Sequence, residues 1–123
     1  MAFNIIFSHF SSNASKAPLK ILIQGTASTD KSFLIECLEN AFLSASSNRV
    51  SPFLLLAPTD VATFHIHALT IYFGLRIPVS SMQPLECKSL LNLQEQILHV
   101  KNILIDEMSF IGPKMLSHID DRL

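Results

Sequence analysis

The sequence predicts an α/β fold, a parallel sheet flanked by helices, and three observations carry that prediction. Three short segments, residues 19–24 (LKILIQ), 53–56 (FLLL) and 103–105 (ILI), each hold at least three consecutive apolar residues rather than an alternating pattern. Strands covered on both faces have that pattern. Each run is followed by a segment of helical periodicity, and alternation of strand and amphipathic helix is the signature of a parallel sheet. The chain of 123 residues is 49% hydrophobic and 15% charged, which excludes a disordered or low-complexity chain and gives enough apolar surface for one core.

Taken in order, residues 1–11 form a lead element in which Phe3, Phe7 and Phe10 are spaced to pack one helix face. Residues 11–18 (SSNASKAP), small and polar and closed by proline, form a linker, so 1–18 is set apart from 19–123. The first strand, 19–24, ends at Gly25, and a helix over 31–46 follows at once, with Leu34, Leu38, Ala41 and Ala45 on its apolar face. The second strand leads through Ala57-Pro58 to Thr59 or Asp60, either of which caps a helix running through Ile66. Residues 74–87, with Pro78 and Pro84, are expected to be a connecting loop. A helix striped by Leu90, Leu93 and Ile97 feeds the third strand, which ends in Asp106-Glu107. The last helix starts after Gly112, with Pro113 in its first turn and Met115, Leu116, Ile119 and Leu123 expected on its buried side.

Composition narrows the function. Nine basic residues against ten acidic ones leave a net charge of −1, so nucleic-acid contact must be local rather than driven by a global basic field. Cys37 and Cys87 are fifty positions apart and form neither a zinc knuckle nor a disulfide framework. His65 and His67 have no third ligand nearby in sequence and do not read as a metal site. No basic, apolar leader and no run of about 18 apolar residues is present. An intracellular chain with no membrane partner is expected. There are only 3 glycines, where average usage of roughly 7% gives about nine.

The chemistry concentrates where strands end. Gly25-Thr26-Ala27-Ser28-Thr29-Asp30-Lys31-Ser32 joins a strand to a helix, the setting of a phosphate-binding loop. In such a loop glycines let backbone N–H groups turn toward phosphate, while Lys supplies charge and Ser or Thr meets Mg²⁺. Gly25, Lys31 and Ser32 hold those places, but Asp30 stands where the last glycine belongs. Its carboxylate near polyphosphate costs about 1 to 4 kcal/mol for each close like-charge pair. Taken alone, the segment reads better as an ordinary strand-to-helix turn, with Asp favoured by the helix dipole. Asp106-Glu107 reads either as a Mg²⁺ and water-activating pair or as two solvated acids at a strand end.

The joint order decides. PLKILIQGTASTDKSFLI, LLLAPTDVATFHIHALTIY and LQEQILHVKNILIDEMSFIG resemble motifs I, Ia and II of the petite-integration-frequency (PIF) type DNA helicases, including the Helitron-associated forms. The resemblance covers about residues 17–123. It implies an incomplete single lobe of the RecA-like P-loop NTPase fold, belonging to an ATP-dependent enzyme that unwinds DNA 5′ to 3′. Family roles in DNA repair, recombination and telomere maintenance, in nucleus or mitochondrion, come with it. By resemblance residues 25–32 bind ATP, with Lys31 on the β- and γ-phosphates. Ser32 and Asp106 hold Mg²⁺, Glu107 is the general base, and Pro58 and Thr59 touch single-stranded DNA, duplex DNA being the substrate.

Four positions where the family usually has glycine are Ser28, Asp30, Asp60 and His67, while His65 and Tyr72 replace an Asn and a His. The motifs resembling a sensor, an arginine finger and the second lobe are not within these residues. An arginine finger is worth 10³ to 10⁵ in rate in related enzymes. The expectation for this chain alone is therefore feeble hydrolysis and no unwinding. The alternative is a decayed, non-catalytic P-loop remnant or interaction module. A mean hydropathy of +0.38 leads us to expect self-association through exposed apolar surface.

Overall fold

The computed structural model describes residues 2–12, 20–25, 30–47, 52–79 and 85–123. They fall into two compact units, Met1–Val50 and Ser51–Leu123.

The first unit holds α1 (Ala2–Ser11) and α2 (Lys31–Ala45). Aromatic packing joins them. Phe7 and Phe10 set their rings 6.2 and 4.4 Å from that of Phe42, and Phe3 stacks on Phe7 at 5.6 Å. Each such pair adds about 0.5–1.5 kcal/mol to plain area burial. Because Phe42 is the anchor, α2 buries Ile35, Leu38 and Phe42. The expected face of Leu34, Leu38, Ala41 and Ala45 is therefore rotated: Leu34 and Ala41 are half-buried and Ala45 is exposed. The expected first strand is also corrected. Residues 20–25 carry no strand, and Ile21, Leu22 and Ile23 are exposed. A β-branched run becomes a strand only when a neighbour supplies the ladder, because β-propensity measures fit to a pleated surface.

The second unit is an α/β layer with a three-stranded parallel sheet. Its elements are β1 (Phe53–Ala57), α3 (Asp60–Ile66), β2 (Leu69–Thr70), α4 (Ile71–Gly74), α5 (Cys87–Ile97), β3 (Asn102–Ile105), a 3₁₀ turn (Met108–Phe110) and α6 (Pro113–Arg122). The strand order is β2-β1-β3. β1 is central, pairing Leu56 with Leu69 on one side and Phe53–Leu56 with Asn102–Ile105 on the other. Leu55, Leu56 and Ala57 are buried at successive positions, so both faces of the strand are covered there, and an unbroken apolar run suits that burial.

The core of this unit gathers Leu56, Ile71, Leu75, Ile77 and Ile119, with Tyr72, Ile103, Ile105 and Met115 packed on it. Leu75 and Ile77 come from the strip expected to be a plain loop. β2 and α4 were not expected either, and two residues of strand are too few to show a pattern. α6 starts at Pro113 as expected, but it buries Ile119 and Arg122 while Leu116 and Leu123 are exposed. Met115, Ile119 and Arg122 recur at i, i+4 and i+7, and the aliphatic stem of an arginine can cover apolar surface.

Gly74 permits the closest approach in this core. A Cβ there would lie 2.6 Å from Leu56 Cδ2, on a side chain that is itself fully buried. Gly74→Ala should therefore lower stability by about 1–3 kcal/mol despite the better helix propensity of alanine. A lower urea midpoint at unchanged slope, read by far-UV circular dichroism, is the expected result.

Candidate functional site

The predicted site residues divide between the two units. Gly25, Asp30, Lys31 and Ser32 belong to the first, and Pro58, Thr59, Asp106 and Glu107 to the second. Thr26, Ala27, Ser28 and Thr29 lie outside the described residues.

In the first unit the ends of the loop meet. Lys31 Nζ donates a hydrogen bond to the Gly25 carbonyl at 2.9 Å, so the ammonium lies against the loop entrance. Asp30 is the N-cap of α2 in the left-handed conformation, φ 52° and ψ 26°, and its side chain makes no capping bond. Its carbonyl accepts the Leu34 N–H at 3.0 Å, which starts the helix. The backbone at residue 30 thus has the shape that glycine adopts without steric cost, while a carboxylate occupies it. Ser32, in the first turn, is exposed.

In the second unit the ladder sets the geometry. β1 and β3 run parallel, so both leave the sheet at the same edge, and open α/β sheets bind ligands outside the carboxyl ends of their strands. The Asp106 N–H donates to the Leu56 carbonyl at 2.9 Å, one residue beyond β3. Glu107 then takes a left-handed conformation, φ 52° and ψ 47°, and its carbonyl accepts the Phe110 N–H at 3.0 Å. Thr59 caps α3, as one of the two sequence options required: its Oγ1 accepts the Ala62 N–H at 3.3 Å and donates to Glu107 Oε2 at 3.4 Å. The structure therefore brings Thr59 and Glu107 together, two residues 48 positions apart in sequence. Asp106 is half-buried and Glu107 is exposed.

The positions that depart from the pattern of the resembled helicases behave differently from one another. His67 closes α3 in the left-handed conformation at φ 51°, with its N–H on the Thr63 carbonyl. Asp60 is simply the first residue of α3, and Ser28 lies outside the described residues. Tyr72 is packed against the core. His65 and His67 are both exposed. Among the described residues no three or more His, Cys, Asp or Glu side chains are grouped to hold a metal ion, and no helix is long and apolar enough to cross a membrane.

Thr70 was missed by the sequence reading. It is the N-cap of α4, its Oγ1 accepting the Phe73 N–H at 3.2 Å, and it pairs in register with Ala57. A Thr directly before Ile71-Tyr72-Phe73 was the available capping signal. Compared with family models, curated proteins and solved structures, the chain returns no match.

Three substitutions check this local geometry. Thr59→Ala should cost about 1 kcal/mol by removing the cap of α3, and Thr59→Ser should restore most of it. His67→Gly should raise stability by about 1 kcal/mol by relieving the left-handed backbone. All three are measured by urea unfolding.

Proposed function

We propose that this chain is the nucleotide-binding portion of a PIF-type, Helitron-like DNA helicase lobe, with a phosphate loop weakened at Asp30. The observation that supports the reading is the loop closure in the first unit: Lys31 Nζ sits on the Gly25 carbonyl, and a left-handed residue enters α2. A lysine at the loop entrance and a helix N-terminus directly after it are the placement that a phosphate-binding loop uses.

Each unit by itself carries donors of the kind a nucleotide with Mg²⁺ uses. Lys31 supplies charge, Ser32 a hydroxyl, and Asp106 and Glu107 carboxylates at a strand end. Asp30 is the exception, since it puts negative charge where phosphate would come. By the resemblance, Lys31 and Ser32 of the first unit would meet phosphate and Mg²⁺, Asp106 of the second unit would be a Mg²⁺ ligand, and bound ATP would contribute a phosphoanhydride whose cleavage drives conformational work. Glu107 would hold the proton of an attacking water, and Pro58 and Thr59 would meet single-stranded DNA.

A second reading is favoured by Asp30 itself. A carboxylate in a backbone shape suited to glycine is what a phosphate loop released from its task would retain, so the alternative is a non-catalytic P-loop remnant. Exposed Val61, Phe64 and Phe73 would then serve self-association, which light scattering detects as a mass above the monomer that rises with concentration.

Titration of a fluorescent ATP analogue with Mg²⁺ separates the two readings. The helicase reading expects weak binding by the natural chain, a gain of about tenfold or more in Asp30→Gly from removing like-charge repulsion, and loss in Lys31→Ala. Equal silence from the natural chain and from Asp30→Gly overturns it.

A further inference from the structure

We infer that Thr59 is a positioning residue for Glu107, and that a phosphodiester reaching Thr59 releases the Glu107 carboxylate. The inference rests on the reading above, in which Pro58-Thr59 meets single-stranded DNA and Glu107 serves the nucleotide.

Glu107 has little backbone freedom. The N–H before it is tied to Leu56, its own carbonyl accepts from Phe110, and its φ and ψ are those of a left-handed residue. What remains to be set is the direction of the side chain, and the Thr59 hydroxyl holds Oε2. A threonine hydroxyl has a single proton and two acceptor lone pairs. In this structure Oγ1 accepts from the Ala62 N–H and gives its proton to Glu107.

A DNA phosphodiester oxygen can only accept. A strand that hydrogen-bonds the Thr59 hydroxyl must therefore take the same proton, and contact with the strand and the tether to Glu107 exclude each other. The phosphate charge adds repulsion against the carboxylate. The existing bond, at 3.4 Å and solvent-exposed, is long for O–H···O and weak enough to be exchanged. Without a strand, Glu107 is held toward α3; with one, it is free to turn. Occupancy of the DNA side is thereby transmitted to the acid through one hydroxyl.

The test uses the intact chain labelled with ¹³C at glutamate carboxyls, the Glu107 resonance being assigned by its loss in Glu107→Ala. Thr59→Val should move this resonance and Thr59→Ser should leave it in place. A short oligo(dT) should move it in the natural chain toward its Thr59→Val position and leave it unmoved in Thr59→Val itself. Glu107→Ala should also strengthen oligo(dT) binding more in the natural background than in Thr59→Val, by a ratio of about threefold or more.

An unmoved resonance in Thr59→Val overturns the tether, as do equal affinity ratios in the two backgrounds. Should Thr59→Val fail to fold, an oligo(dT)-insensitive resonance in the natural chain and in Thr59→Ser overturns the inference equally. Failure of the nucleotide reading is seen separately, as silence in the ATP-analogue titration with the carboxyl shift intact.

Discussion

The second unit is arranged around the backbone and side chain of Leu56. It is in register with Leu69 on one side and Ile105 on the other, and its carbonyl extends the ladder by accepting the Asp106 N–H. Its side chain is fully buried, and the missing Cβ of Gly74 leaves the space for it. This pairing fixes the candidate site more firmly than any side chain does. Thr59 lies three residues beyond Leu56, and Glu107 lies two beyond its partner Ile105. Parallel pairing sends both chains out at one edge; an antiparallel pair would send them out at opposite ends. Only then can a hydroxyl and a carboxylate 48 positions apart meet.

Much of this arrangement was legible in the sequence, and the failures have a common cause. β1, β3 and the helices α2, α3, α5 and α6 announce themselves by local periodicity and capping residues, which the chain needs wherever those elements pack. What was misread depends on partners distant in sequence. Residues 19–24 have strand composition, but a strand is made by its neighbour. β2 has no composition to speak of and is a strand because β1 lies beside it. The buried face of α2 turned because Phe42 meets Phe7 and Phe10. Arg122 is buried on the face of α6 that carries Met115 and Ile119, with its Nε lacking a hydrogen-bond partner, although charge-based reasoning assigns an arginine to the surface. For the site, the residue types and their order were readable, while the Thr59–Glu107 contact was not, since it depends on strand register.

The left-handed residues tie the glycine shortage to the site. Asp30, His67, Arg76 and Glu107 have positive φ, and among the described residues no glycine does. A non-glycine residue in this conformation gives up about 1–2 kcal/mol, so four of them draw noticeably on a stability of ordinary size. Each sits where hydrogen bonding fixes the chain: Asp30 and His67 at helix ends, Glu107 between a strand and a 3₁₀ turn. Arg76 directs its guanidinium to Gln96 and to the Ser89 carbonyl. Tertiary structure dictates these turns against residue preference.

That observation bears differently on Asp30 and His67, although both stand where the resemblance places glycine. At His67 the substitution affects only the end of a seven-residue helix, and the imidazole is exposed. At Asp30 the same backbone shape lies at the entry to a fifteen-residue helix, beside a lysine that rests on the loop entrance. A glycine there would present only an N–H and the positive end of the helix dipole, worth about 0.3–1 kcal/mol to an anion. A carboxylate presents a full negative charge at the same point. At a separation of about 4 Å its repulsion of a single phosphate charge is about 1 kcal/mol in bulk water and about 4 kcal/mol at a surface dielectric, the latter more than the dipole contributes. Backbone shape and local charge therefore pull apart at one residue: the conformation there is one that glycine adopts freely, while the charge opposes the phosphate that the proposed reading would bring to it.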